Sequence, residues 1–319
     1  MRRRLARWGK RLAVALLALI AAITVAAAIY DAVTAGGESR HTLYRGPYVR
    51  VDGRELAYRR WGTHGSPIVL IGGFIEASDV WRLAAPLLAR THRVYALDLP
   101  PFGYSERKGP YVLATWVDEV EGFERALHIE RPTLVGHSLG AAVVVGEALR
   151  RPHALQSIVL LDGDALSSGS APGWVASLVV DPYYTALYRI VTGSNWIFRK
   201  GLKEAYGPAA PRLDDQELDR WQRPFRVAGT AAAFKQMIPH GIQGWALSDL
   251  ERVHVPVLVV WGAHDTTDGV SEGRTSARAM GAPFLVLPRA GHLSMLADPR
   301  GVARAIEGAA AGEAVTVPR

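Results

Sequence analysis

The 319-residue chain has no cysteine. Disulfides, thiolate metal sites and a cysteine nucleophile are therefore excluded. The absence says little about compartment, because a chain of this length buries a core that needs no cross-link. Acid is missing from the N-terminus: the first eleven residues hold Arg2, Arg3, Arg4, Arg7, Lys10 and Arg11 and neither Asp nor Glu. Six of the seven net positive charges sit there, and the rest of the chain carries +1. A nearly neutral body gives no electrostatic case for nucleic-acid binding. Charge of either sign is missing from the nineteen residues Leu12 to Tyr30. Internal repeats and low-complexity tracts are missing too. A balance of 49% hydrophobic to 21% charged residues is that of a folded protein.

The uncharged run is close to the ~20 residues that cross a bilayer as a helix. A core helix of this length would show a polar face, and Leu12–Tyr30 shows none. Two readings stand, a retained signal anchor and a cleaved signal peptide. Ala26-Ala27-Ala28 and Val33-Thr34-Ala35 resemble small-residue cleavage sites. The run exceeds the usual apolar region of about 7–15 residues in a signal peptide, which favours the anchor. Arg3-Arg4 suggests twin-arginine export, but the rest of that motif is missing. In either reading the arginines stay in the cytoplasm and the C-terminal domain faces outward.

Residues 31–46, with Gly36-Gly37-Glu38-Ser39, read as a linker. Tyr48–Val51 and Glu55–Trp61 flank Asp52-Gly53, a hairpin signal. Short apolar runs follow at Pro67–Ile71, Arg93–Leu97, Thr133–Val135, Ser157–Leu161, Val257–Trp261 and Phe284–Leu287, as strands buried on both faces require. Helical patterns lie between most of them, at Val80–Arg90, Leu113–Leu127, Ser138–Arg150, Ser271–Met280 and Pro299–Ala310. A hairpin followed by this alternation predicts an α/β fold with a mostly parallel sheet and right-handed crossovers. Between Leu161 and Val257 lie roughly ninety residues, far more than a crossover needs. That interval is rich in aromatics, among them Trp174, Tyr183, Tyr184, Tyr188, Trp196, Phe198, Trp221, Phe225, Phe234 and Trp245. It reads as a helical subdomain that roofs an apolar pocket.

Gly136-His137-Ser138-Leu139-Gly140 falls between a predicted strand and a predicted helix. G-x-S-x-G in that context reads as a nucleophile elbow, in which a strained serine is held out at the tip of a sharp turn. Taken alone, it is also compatible with a serine that merely caps the next helix. A serine nucleophile needs a base, and the base an acid to orient it. His137 is adjacent to Ser138, but side chains diverge around a sharp turn. His41, His64, His92, His128, His153, His240 and His254 fall in linkers, helix ends or the insertion. His264 and His292 each follow a strand at the sheet end where the elbow lies.

From about Pro47 to Gly312 the chain resembles the α/β-hydrolase fold enzymes. The likeness rests on Gly136–Gly140, on Trp261-Gly262-Ala263-His264-Asp265, on Gly291-His292, and on Asp98-Leu99-Pro100-Pro101-Phe102-Gly103-Tyr104-Ser105, similar to a D-x-P-G-x-G-x-S loop. The insertion falls between the sixth and seventh strands, as in the esterase, lipase and C–C hydrolase branches. The resemblance implies an eight-stranded sheet with helices on both faces. It implies Ser138 as nucleophile, His292 as general base and acid, and Asp265 as the orienting carboxylate. Asp162, at the end of the preceding strand, is the alternative acid. The oxyanion donors implied are the backbone N–H groups of Leu139 and Phe74. Two departures stand out: Gly72 replaces a frequent histidine in the Gly72-Gly73-Phe74 loop, and Pro101 replaces a glycine in the Asp98 loop.

The expected organisation is a basic N-region and membrane helix at 1–30, a linker at 31–46, a core at 47–162 and 250–312, a lid at 163–249 and a tail at 313–319. The expected reaction is serine hydrolysis of carboxylic esters with apolar acyl groups, with no metal and no organic cofactor. The expected partners are a small acyl substrate and, through the N-terminal helix, a membrane. Serine rather than aspartate at the elbow argues against dehalogenase and epoxide hydrolase chemistry. The same trio also suits C–C hydrolysis, acyl transfer, thioester cleavage or perhydrolysis. A non-catalytic binding protein that retains the fold is the alternative of another class.

Overall fold

A computed structural model describes residues 2–34, 36–167, 179–241 and 243–312. Trp174, Ala35 of one small-residue site and the 313–319 tail lie outside the described residues. The strands are β1 (Tyr48–Val51), β2 (Arg54–Trp61), β3 (Pro67–Ile71), β4 (Arg93–Leu97), β5 (Thr133–His137), β6 (Ser157–Leu161), β7 (Val257–Gly262) and β8 (Phe284–Leu287). They form one sheet in the order β1-β2-β4-β3-β5-β6-β7-β8. β1 and β2 pair antiparallel around Asp52-Gly53, and β2 pairs antiparallel with β4. Every other pairing is parallel.

The longer helices are α1 (Arg2–Thr34), α2 (Leu113–Ala126), α3 (Leu139–Arg150), α4 (Tyr183–Gly193), α5 (Asn195–Tyr206), α6 (Asp215–Gln222), α7 (Thr230–Met237), α8 (Val270–Ala279) and α9 (Pro299–Ala311). The inner parallel strands are buried on both faces, and their middle residues are apolar for that reason. Side chains alternate between two cores at the two-residue period of a strand. Val69, Tyr95, Leu134, Leu160 and Val259 face Trp116 and Phe123 of α2 and the valines of α3. Ile68, Val94, Val135, Val159 and Val260 face Trp81, Leu88 and, on α9, Val302 and Ile306.

The Val80–Arg90 pattern is not one helix. It forms a 3₁₀ turn at Ser78–Trp81 and a helical turn at Ala85–Leu88. Pro86 supplies no N–H for a helix that would run through it, so the chain restarts around it. Between β6 and β7 lie α4 to α7, with Ser194 and Asp214 capping α5 and α6 through their side chains.

The stretch read as a linker is packed. Glu38 bridges to Val227, and Tyr44 stacks on Tyr104 with ring centroids 5.0 Å apart. The Tyr44 hydroxyl donates to the carbonyl of Tyr58. Within α1, Lys10–Thr34 is long and apolar enough to cross a membrane, and none of it is buried in the protein. Its C-terminal part lies against α4.

Candidate active site

β5 is a central strand, held between β3 and β6, so its end is fixed on both sides. Ser138 follows it with φ 49° and ψ −119°, a conformation that costs a non-glycine residue of order 1–3 kcal/mol. A capping serine would be extended and would bond the helix N-terminus. Ser138 is not extended, and its side chain makes no such bond. The flanking glycines allow the turn. A Cβ on Gly136 would stand 2.2 Å from the Gly140 oxygen, and one on Gly140 would stand 2.7 Å from the Ile71 oxygen. Leu139 opens α3, where backbone N–H groups have no acceptor within the helix.

The loop after β3 lies against the serine: a Cβ on Gly73 would fall 2.8 Å from the Ser138 Cβ. The Gly73 N–H is taken, since it donates to Glu76 Oε2 over 2.6 Å. Among the described residues the Phe74 and Leu139 N–H groups donate to no protein acceptor. The Phe74 ring is exposed and packs edge-on against Phe102 and Phe234, at 5.4 and 5.7 Å.

His292 follows β8 in a loop held from both sides. The Gly291 N–H donates to the Tyr206 carbonyl and the Leu293 N–H to the Ala205 carbonyl, so the end of α5 grips the residues flanking the histidine. His292 Nδ1–H donates to Asp265 Oδ2 over 2.8 Å. The other Asp265 oxygen accepts from the N–H groups of Thr267 and Asp268, which holds the carboxylate in place. The Asp265 side chain is wholly inaccessible. A carboxylate on Nδ1 sets the neutral tautomer and leaves the Nε2 lone pair available as a base. Asp265 and His292 are therefore brought together. Among the described residues no hydrogen bond joins Ser138 to His292.

Asp162, the alternative acid, makes no hydrogen bond to His292 among the described residues. Its Oδ1 accepts from the Gly262 N–H over 2.7 Å, and its Oδ2 accepts from the Ser294 hydroxyl. It thus ties the end of β6 to that of β7. Its buried carboxyl is pushed up to about 6 by desolvation, with the charge of His137 and the Ser294 hydroxyl pulling the other way. His264 is exposed, and among the described residues its side chain makes no hydrogen bond, while its N–H donates to the Ala290 carbonyl.

Sequence reasoning misses Glu76 and the job of His137. His137 is fully buried, with Nδ1 2.9 Å from Glu76 Oε2 and Nε2 2.7 Å from the His292 carbonyl oxygen. Both partners are acceptors, so both ring nitrogens donate and the imidazole is a cation. Burial opposes that charge, but the Glu76 carboxylate outweighs it and lifts His137 to about 9. Glu76 is thus the brace of the loop in which Gly72 replaces histidine. The available signal was a lone acid beside Gly72-Gly73-Phe74-Ile75, since a carboxylate buried there requires a partner.

The Asp98 loop is structural. The Asp98 carboxylate accepts from the N–H groups of Ser78 and Tyr104, and Ser105 Oγ donates to its carbonyl. Next to the Phe102 and Phe234 rings that Phe74 packs on, a small open cavity is lined by Ile75, Phe102, Phe225 and Phe234, with Arg107 at its wall. Arg107 directs its N–H groups to the carbonyls of Phe102, Gly103, Ser105 and Pro224 and to the Thr230 hydroxyl. Among the described residues no three His, Asp or Glu side chains are grouped as a metal ion would need.

A family model described as the alpha/beta hydrolase fold matches residues 66–299, and the chain belongs to that family. Some of its named relatives are hydrolases, and others are acetyltransferase components of an acetoin cleaving system. The chain is 26% identical over 247 residues to the uncharacterized hydrolase YugF of Bacillus subtilis, covering 76% of this chain and 89% of that one. It is 26% identical over 261 residues to a 2-hydroxy-6-oxo-2,4-heptadienoate hydrolase of Pseudomonas putida, covering 78% and 90%. Among solved structures it is similar to a membrane phospholipase A described as a bacterial virulence factor. The TM-score is 0.68 at 25% identity, over 98% of this chain and 99% of that one.

Proposed function

We propose that the protein is a membrane-anchored serine hydrolase that cleaves carboxylic esters of apolar acyl groups. The observation that carries this reading is the 2.8 Å bond from His292 Nδ1 to the buried Asp265 carboxylate, at the sheet end where Ser138 holds its elbow conformation. Ser138 Oγ attacks the acyl carbon while His292 Nε2 takes its proton. Asp265 stabilises the imidazolium, and the N–H groups of Leu139 and Phe74 hold the oxyanion. The alcohol leaves with the proton from His292. Water, deprotonated by the same nitrogen, then releases the acid from Ser138.

The aromatic lining around Phe74 supports an apolar acyl group, and the likeness to a membrane phospholipase A supports a lipid-derived one. The insertion of α4 to α7 is the lid of this site. α1 is the retained anchor, with the catalytic domain on the extracytoplasmic side. A second reading, hydrolysis of a C–C bond in a small oxo acid, is favoured by the likeness to the heptadienoate hydrolase. Against it, Arg107, the cation at the cavity wall, already serves backbone carbonyls.

A fluorophosphonate probe is expected to label Ser138 in the folded protein. p-Nitrophenyl esters are expected to be cleaved faster as the chain lengthens from acetate. Absence of labelling would overturn the hydrolase reading, and activity confined to acetate would overturn the apolar acyl group.

A further inference from the structure

We propose that the outer face of α4 and the start of α5 form a second membrane contact, a docking surface that sits in the leaflet crossed by the C-terminal half of α1. The proposal rests on the reading of α1 as a membrane helix. α4 has two unlike sides. On one, Ala186 is buried, Tyr184 donates through its hydroxyl to the Ala231 carbonyl, and Tyr188 donates to that of Phe225. On the other, Tyr183, Leu187, Ile190 and Val191 follow helical spacing and are exposed, Leu187 at 61% and Ile190 at 53%. Trp196, at the start of α5, is 71% exposed.

The occupant follows from where α1 runs. Tyr183 and Thr24 share a hydrogen bond between hydroxyls. Arg189 pairs with the Asp31 carboxylate at 3.1 Å and donates to Thr34 Oγ1 over 2.8 Å. α4 therefore lies alongside the last third of α1. The uncharged run of α1 ends at Tyr30, six residues beyond Thr24. Along the helix axis this is about 9 Å, which brings Tyr183 and Leu187 to the depth at which amphipathic segments enter a bilayer. The Thr24 hydroxyl already donates to the Ile20 carbonyl over 2.8 Å, so in that setting its bond to Tyr183 gives a partner to the one hydroxyl that would otherwise be desolvated alone.

The charge at the rim fits the same occupant. Trp196, Lys200 and Lys203 share one face of α5, and Lys200 Nζ lies 5.9 Å from the Trp196 ring. An aromatic ring beside ammonium groups suits the boundary between acyl chains and anionic headgroups.

The absence of cysteine permits a clean test on the full-length chain. Leu187→Cys and Ile190→Cys are labelled with nitrobenzoxadiazole, with Leu16→Cys as the deep reference and exposed Glu130→Cys as the aqueous one. Each is reconstituted in vesicles of phosphatidylethanolamine and phosphatidylglycerol containing doxyl-labelled lipid, and near-ultraviolet circular dichroism checks its fold. Quenching at 187 and 190 is expected to be at least about threefold stronger than at 130, and strongest with the doxyl group near the headgroup. Quenching at 187 and 190 no stronger than at 130, with Leu16→Cys quenched, overturns the docking surface and leaves the anchor standing. Quenching at 187 and 190 without quenching at 16 overturns the anchor and, with it, the placement of this surface in a leaflet that α1 crosses. Quenching at none of the three overturns both. None of these readouts depends on ester hydrolysis.

Discussion

Two histidines lie ring to ring in this protein, their centroids 4.8 Å apart, with different work open to them. His137 meets an acceptor at each nitrogen, so its proton is locked in place. His292 meets one acceptor, at Nδ1, and keeps a lone pair at Nε2. His137 is the covalent neighbour of Ser138, yet it is the one excluded from base chemistry. The partners of each nitrogen set the role of a histidine, not its distance from the nucleophile. The two are also joined, because His137 holds the backbone carbonyl of His292 while Glu76 holds both His137 and the Gly73 N–H. One buried ion pair thus braces the loops of the proposed base and the proposed oxyanion donor.

The sharpest way to break the comparison is to remove each ring in turn. His292→Ala is expected to lower kcat/KM on a p-nitrophenyl ester by about 10⁴-fold or more, roughly 5 kcal/mol of transition-state stabilisation. His137→Ala is expected to act first on folding. It leaves the Glu76 carboxylate buried without its cation, a loss of about 3–5 kcal/mol in urea unfolding. A His292→Ala enzyme within tenfold of the parent would remove His292 from the mechanism.

The carboxylates separate in the same manner, with a smaller effect. Asp265→Asn is expected to cost about 10³–10⁴ in kcat, because an amide no longer sets the imidazole tautomer. Asp162→Asn is expected to change kcat by less than about tenfold and to lose about 1–3 kcal/mol of stability, since its buried bonds to Gly262 and Ser294 are structural. Kinetics of the two variants side by side decide the matter. A larger kcat loss from Asp162→Asn would reverse the assignment of the acid.

This contrast marks how far the site is legible in sequence. Asp162 and Asp265 both follow a strand at the same end of the sheet, so position alone leaves the acid open, and only the direction of each carboxylate separates them. β3, β4 and β6 coincide with their apolar runs because a strand covered on both faces is apolar through its middle, and the edge strand β8 coincides with its run too. The turns at Ser78–Trp81 and Ala85–Leu88 are less legible, since apolar spacing over Val80–Arg90 mimics one helix and Pro86 is the only break. Residues 36–46 have the composition of a linker, and their partners, Glu55, Tyr58 and Val227, lie far along the chain. Glu76 and His137 are 61 positions apart, and no periodicity reports such a contact.

The mildest test leaves both rings in place and changes the charge beside one of them. His137 is raised from its ordinary 6.5 to about 9. The folded state therefore holds this proton more tightly than the unfolded chain does. Its contribution, about 3 kcal/mol for a shift of this size, is complete below pH 6.5 and disappears as pH rises through 9. Asp162, raised by burial from 3.8 to about 6, makes its own contribution to falling stability earlier, between those two values. The two windows barely overlap, but buried Glu119 and Glu124, raised by desolvation to about 8 and about 10, lose stability across both, so urea midpoints at pH 4, 6 and 9.5 are read as differences between variant and parent. Glu76→Gln removes the charge that outweighs burial at His137. It is expected to shrink the loss between pH 6 and 9.5 by about 1 kcal/mol or more relative to the parent while leaving the loss between pH 4 and 6 in place. An alkaline loss of the parent's full size in Glu76→Gln would mean that another group carries it, and His137 would no longer be the locked cation of the pair.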